Sequence, residues 1–137
     1  MKPYTLLAAA AVFGVVPLGT ASGRDASARG RGDIPAATVT GQPQDCIPIN
    51  HIRETRVRDD STIDFIGNGR GEMWRVTLPN PCPSLKAENR FSYETSLSQL
   101  CSTDIITVLY DYGGGATGLT RGASCGLSQF TPIALAR

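Results

Sequence analysis

Histidine is almost missing from this sequence: His51 is the only one among 137 residues. The four cysteines, Cys46, Cys82, Cys101 and Cys125, include no C-x-x-C pair. Structural zinc sites draw on closely spaced cysteine and histidine pairs, so that chemistry is excluded, and so is a thioredoxin-like dithiol. An excess of one charge is lacking too, with 13 Lys and Arg against 12 Asp and Glu for a net +1. Loss of Lys2 with a cleaved leader brings the remainder to about neutral. A neutral chain offers no electrostatic footprint for nucleic acid and no polybasic patch for anionic lipid. No segment sustains a 3.6-residue apolar period, and no apolar run reaches the ~20 residues that cross a bilayer as a helix. Helical bundles, metal sites, nucleic-acid binding and an integral membrane span after leader removal are therefore set aside.

What is present begins with an export signal. Lys2 supplies a short positive region, residues 6–16 are apolar or Gly, and Pro17 ends the run. Gly19-Thr20-Ala21 places small residues at the cleavage position, with Ala21-Ser22-Gly23 as the neighbouring choice. Residues 1–21 are accordingly read as a signal peptide, and a lipoprotein is not indicated because no cysteine follows the run. An even number of cysteines beyond a leader reads as two disulfides, which implies a periplasmic or secreted protein. Residues 22–44, rich in Ala, Gly and Ser and without aromatics, are expected to be a disordered linker because they bury too little apolar surface to offset ordering. Arg31-Gly32-Asp33 within it matches an adhesion tripeptide, and a three-letter match in an Arg/Gly-rich tail is read as chance.

The folded domain is expected over residues 45–134, organised around a hairpin. Thr62-Ile63-Asp64-Phe65-Ile66 places Ile63 and Phe65 on one face, and Met73-Trp74-Arg75-Val76-Thr77-Leu78 places Trp74, Val76 and Leu78 on one face. Gly67-Asn68-Gly69-Arg70-Gly71 between them supplies residues that tolerate positive φ. Pro79-Asn80-Pro81-Cys82-Pro83 then stops the second arm beside a sulfur. Arg53 to Arg58, Phe91 to Thr95 and Ile105 to Tyr110 read as further strands and Cys125 to Ile133 as a last strand or irregular edge with Leu127 and Phe130 inward, with Asp59-Asp60-Ser61 as a turn and Ser84 as the cap of one helical turn. The expectation is an all-β fold: a small antiparallel meander, barrel or sandwich of five to six strands with two disulfides. A core of this size is marginal, and each crosslink adds about 4 kcal/mol through chain entropy. If successive strands alternate direction, Cys46 and Cys101 fall at one end of the sheet and Cys82 and Cys125 at the other. That parity favours Cys46–Cys101 with Cys82–Cys125; a long crossover would favour Cys46–Cys125 with Cys82–Cys101.

Several motifs imitate chemistry. Gly122-Ala123-Ser124-Cys125-Gly126 has the letters of a G-x-S-x-G nucleophile elbow, but the eleven residues after Gly126 hold no histidine and no acid. Gly113-Gly114-Gly115-Ala116-Thr117-Gly118 matches G-x-G-x-x-G, yet no helix start or later acid follows, so a glycine-rich hairpin loop is expected and no cofactor is implied. His51 with Glu54, Asp59 or Asp60 would make a base oriented by a carboxylate, against the plainer reading of a surface histidine. Asp59, Asp60 and Asp64 could suggest a cation, but turn chemistry and a solvated strand face explain them as well, and no ligand loop surrounds them. Trp74, Tyr110 and Tyr112 are read as core and edge residues that gain interest only if exposed as a patch.

Six runs carry a resemblance: Cys46-Ile47; Thr55-x-Val57 leading to Asp60-Ser61-Thr62-Ile63-Asp64-Phe65; Trp74-Arg75-Val76-Thr77-Leu78; Cys82-Pro83-Ser84-Leu85; Leu100-Cys101-Ser102-Thr103-Asp104-Ile105-Ile106; and Cys125-Gly126-Leu127-Ser128-Gln129-Phe130. Together they resemble a family of small exported four-cysteine proteins of Gram-negative bacteria, described as a domain of unknown function. The resemblance implies export and a crosslinked β domain and brings no catalytic residue. The function expected is a non-enzymatic binding or structural module for a protein or envelope component. The alternative is an inhibitor of an exported hydrolase, a lysozyme or protease, with the 113–118 loop as the insert. A hydrolase built on His51 ranks third.

Overall fold

The computed structural model describes residues 34–95, 97–112 and 118–136; the expected signal peptide, residues 22–33 of the expected linker and most of the glycine-rich loop lie outside them. Chain order gives β1 (Ala37–Val39), β2 (Cys46–Pro48), a 3-10 turn at Ile49–His51, β3 (Ile52–Val57), β4 (Thr62–Gly67) and β5 (Met73–Thr77). A single helical turn, α1 (Leu85–Glu88), precedes β6 (Phe91–Tyr93), β7 (Gln99–Cys101), β8 (Ile105–Asp111), β9 (Leu119–Gly126) and β10 (Thr131–Leu135). The strands form a five-stranded sheet in the order β1-β10-β5-β4-β3, a three-stranded sheet β6-β8-β9 and a ribbon β2-β7. Every pairing is antiparallel.

The expected hairpin is the middle of the larger sheet. Ile63 stands opposite Val76 and Phe65 opposite Trp74, so the apolar parity of both arms falls on one face. In the loop, positive φ is required only at Gly71 (φ 75). Gly67 and Gly69 serve a different purpose: Glu72 folds back over them, and a Cβ on Gly67 would lie 2.4 Å from its Oε2. Glu72 Oε2 accepts the Gly69 N–H at 3.1 Å.

The two larger sheets share one core. Val57, Ile63, Phe65, Trp74 and Val76 come from the five-stranded sheet, and Ile106 and Val108 from the three-stranded one, with Phe91 and Tyr93 packed against them. The Phe65 ring meets Phe91 edge-on at 6.5 Å and Phe130 at 5.4 Å, and so ties the sheets together. Ile47 and Leu100 of the ribbon join the same cluster, with Leu78, Cys82 and Leu85 from the segment after β5. Burying aliphatic side chains of this kind is worth about 1.5–3 kcal/mol each.

The disulfides are Cys46–Cys101 and Cys82–Cys125, the pairing that parity favours, although the chain is no simple meander. Cys46 meets Cys101 because β2 and β7 pair with these residues directly opposite. Cys82 sits beside Cys125 because β9 carries Cys125 back along the Ile106 register.

Four expectations need correction. The strands number ten among the described residues, more than five or six, because three-residue pieces such as β2 and β7 are too short to show an alternation. Part of the supposed linker is ordered: β1 pairs with β10, and Gln44 bridges Phe130, held by backbone hydrogen bonds rather than buried area. The closing segment is not one strand over Cys125 to Ile133: β9 ends at Gly126 and β10 starts at Thr131, with Leu127 and Phe130 buried between them as expected. Ser84 precedes α1 with φ 64 and no side-chain cap bond; Asp60 Oδ1 accepts the Lys86 N–H at 2.8 Å instead.

Candidate binding groove

A cleft of about 350 Å³ opens on the solvent face of the three-stranded sheet. Its floor follows from register. Ser92 pairs with Thr107, and Thr107 with Ser124, so three hydroxyl side chains cross the sheet in a row on the face opposite Ile106. Thr107 Oγ1 and Ser124 Oγ share a hydrogen bond of 3.1 Å.

An irregularity in β9 supplies the charged wall. Thr107 is opposite Ser124, yet Leu109 is opposite Arg121, so Gly122 and Ala123 together oppose Val108. In a regular strand, residues 121 and 124 point to opposite faces. The extra residue of the bulge reverses that parity and brings Arg121 onto the face of Ser124, a common use of bulges near binding sites. Gly122 is required there because a Cβ would lie 1.9 Å from the Tyr110 ring. Arg121 Nη2 then donates to Glu94 Oε1 at 2.6 Å across the sheet. Both side chains are largely exposed, at 70% and 78%, so this pair is worth at most about 1 kcal/mol and its hydrogen bonds are available to a ligand.

The far wall is the turn between β7 and β8. Asp104 Oδ2 accepts the Cys101 N–H at 2.7 Å, and Leu127 N donates to the Asp104 carbonyl at 3.0 Å. Thr103, Tyr93 and Ile105 complete the lining, with Ile105 56% exposed. A smaller depression of about 160 Å³ shares Thr103 and Asp104 and continues past Gln99 and Cys101. Cys46–Cys101 thus staples the backbone from which this wall turns.

The residues singled out from sequence are dispersed. Ser124 lies in β9 with its hydroxyl on Thr107, and its neighbour Cys125 is crosslinked; no nucleophile elbow forms. His51 faces Glu72, Nδ1 to Oε1 3.8 Å, rather than Glu54, Asp59 or Asp60. Asp59 Oδ1 accepts the Ser61 N–H at 2.8 Å, while Asp60 binds the start of α1. Among the described residues no group of three or more His, Cys, Asp or Glu could hold a metal ion. Trp74 is buried in the core. Tyr110 is half-buried and stacks at 5.9 Å on Tyr112, which is 75% exposed. The 113–118 loop lies outside the described residues except for Gly118, and it joins the antiparallel neighbours β8 and β9.

Asp64 does not lie on the expected solvated strand face, because Arg58 and Arg75 close over it. Its carboxylate is fully buried on the outward side of β4 and takes Arg75 Nε at 2.7 Å, Arg75 Nη2 at 3.0 Å and Arg58 Nε at 2.7 Å. Arg75 Nη1 also donates to the Pro35 carbonyl at 3.1 Å, which anchors the segment before β1. Its hydrogen bonds to Asp64 hold the Arg75 guanidinium above its ordinary range, against the opposing effect of burial. This is a brace for the sheet, with Arg58 Nη2 buried and without a hydrogen-bond partner among the described residues.

Sequence reading missed Glu94, Thr103, Asp104 and Arg121 as neighbours. The alternation at Phe91-Ser92-Tyr93-Glu94 marks an outward face, but nothing in the letters reveals a bulge at Gly122-Ala123. Comparison with known protein families, with curated proteins and with solved structures finds no match to this chain.

Proposed function

We propose that this protein is a non-enzymatic binding module that works in the periplasm or outside the cell and holds an envelope component in the groove on β6, β8 and β9. The observation that carries this reading is the bulge: it turns Arg121 onto the hydroxyl row and into reach of Glu94, at the expense of a regular edge strand. Two disulfides favour an oxidising compartment, and the apolar leader and the likeness to exported four-cysteine proteins point the same way. Among the described residues no helix is long and apolar enough to cross a membrane. The test is co-sedimentation of the purified protein with washed envelope material. Retention of the wild type and release of Arg121→Ala supports the proposal; equal sedimentation of both, or of neither, removes it.

One observation favours the second reading, inhibition of an exported hydrolase. The hairpin of β8 and β9 ends in Tyr112 and Leu119, 75% and 54% exposed, an apolar rim suited to entering a cleft. Slowed turnover by a lysozyme or protease in the presence of the protein, lost in Tyr112→Ala, would establish it. Undiminished turnover across such a panel would dismiss it.

A further inference from the structure

We infer that the groove recognises a neutral saccharide, an assignment that rests on the groove being the binding surface. Charge comes first. Glu94 and Asp104 against Arg121 leave the lining at −1, which disfavours phosphates, nucleic acid and acidic peptides. A metal cation fares no better, because the lining offers only two carboxylates, and among the described residues no group of three or more His, Cys, Asp or Glu could hold a metal ion.

Backbone geometry then disfavours a peptide strand. Peptides captured by sheets pair with main-chain groups along an edge, whereas this groove lies on a face, where the N–H and C=O groups of β8 are used by β6 and β9. Side chains are what the groove offers. Ser92, Thr107 and Thr103 carry hydroxyls that both donate and accept, Glu94 accepts, and Arg121 donates in a planar fork. Neighbouring hydroxyls of a sugar present the same mixture of donors and acceptors at short spacing. Ile105, on the same face as Thr107 and largely exposed, supplies apolar surface for the C–H face of the ring. At about 350 Å³ the cleft is at the lower end of small-ligand sites, and its continuation past Gln99 gives a polymer room to run on.

The test is a backbone-amide NMR titration of the oxidised protein with chitotetraose, cellotetraose and maltotetraose, and separately with the peptide Ser-Thr-Gln-Ser-Thr-Gln. One saccharide is expected to shift Ser92, Thr107 and Arg121 saturably with a Kd of about 1 mM or tighter. Glu94→Gln and Arg121→Ala should each weaken it about tenfold or more, with Arg56→Ala on the other sheet unchanged. Shifts from the peptide alone would overturn the saccharide while leaving the groove as the binding surface. Saccharide shifts confined to residues outside the groove would also overturn it. If no saccharide moves the groove the inference is overturned; if Arg121→Ala also still co-sediments with envelope material, the proposed function falls with it.

Discussion

Replacing Asp64 by Asn tests the brace on the outer side of the five-stranded sheet. The carboxylate is fully buried, and the Arg58 and Arg75 side chains that grip it are only 15% and 16% exposed. Two guanidinium groups and one carboxylate leave a buried charge of +1; Asn raises it to +2 and turns an amide donor toward one of two donors. Breaking a buried pair by removing one partner costs about 3–5 kcal/mol, a large part of the roughly 5–15 kcal/mol that holds a domain of this size. At 3 kcal/mol the midpoint should fall by about 12–24 °C. Urea unfolding with both disulfides oxidised, followed by fluorescence of the single tryptophan, Trp74, measures the free energy, and a thermal melt under the same conditions measures the midpoint. The companion is the triple change Arg58→Met, Asp64→Leu, Arg75→Leu. It removes all three charges, and by the same reasoning should stay within about 1 kcal/mol of wild type. A loss under about 1 kcal/mol in Asp64→Asn, or a triple variant as damaged as the single, would refute the reasoning.

Three further outcomes follow from local geometry. Cys46 and Cys101 are both half-buried while Cys82 is fully buried, so mild reductant should open Cys46–Cys101 first; mass spectrometry of alkylated thiols showing Cys82 and Cys125 labelled earlier would contradict this. Gly122→Ala must displace the Tyr110 ring, and should cost about 1–3 kcal/mol, a loss relieved in a Tyr110→Ala background by denaturant titration; an undiminished loss there points away from the ring. The hydrogen bond from Arg56 holds the Glu54 carboxyl below its ordinary range, so its small contribution to stability is present above the unfolded-state pKa and fades as pH falls through the lower folded value. NMR titration of Arg56→Ala should find Glu54 titrating higher, and an unmoved titration would exclude that cause.

The hairpin was legible because Ile63, Phe65, Trp74 and Val76 alternate cleanly. The buried state of Asp64 was not, since it depends on Arg58 and Arg75 closing over it from either side, and that is a matter of register. The disulfide partners came out correctly from strand parity even though β2 and β7 form a ribbon of their own, because antiparallel pairing alone sets Cys46 against Cys101. β1 was hidden by its length of three residues: its order comes from the Thr40 N–H on Pro132 and the Ala136 N–H on Ala36, contacts whose partners are remote in the chain. The groove was least legible. Its hydroxyls are ordinary strand residues, and a single extra residue in β9 decides whether Arg121 joins them.

Amide hydrogen exchange of the protein with and without washed envelope material tests the central claim most directly. Added protection is predicted across residues 92–94, 103–107 and 121–124, and its disappearance in Arg121→Ala. Protection confined to β1, β3 or β10, or unchanged by that substitution, would contradict the assignment of this face.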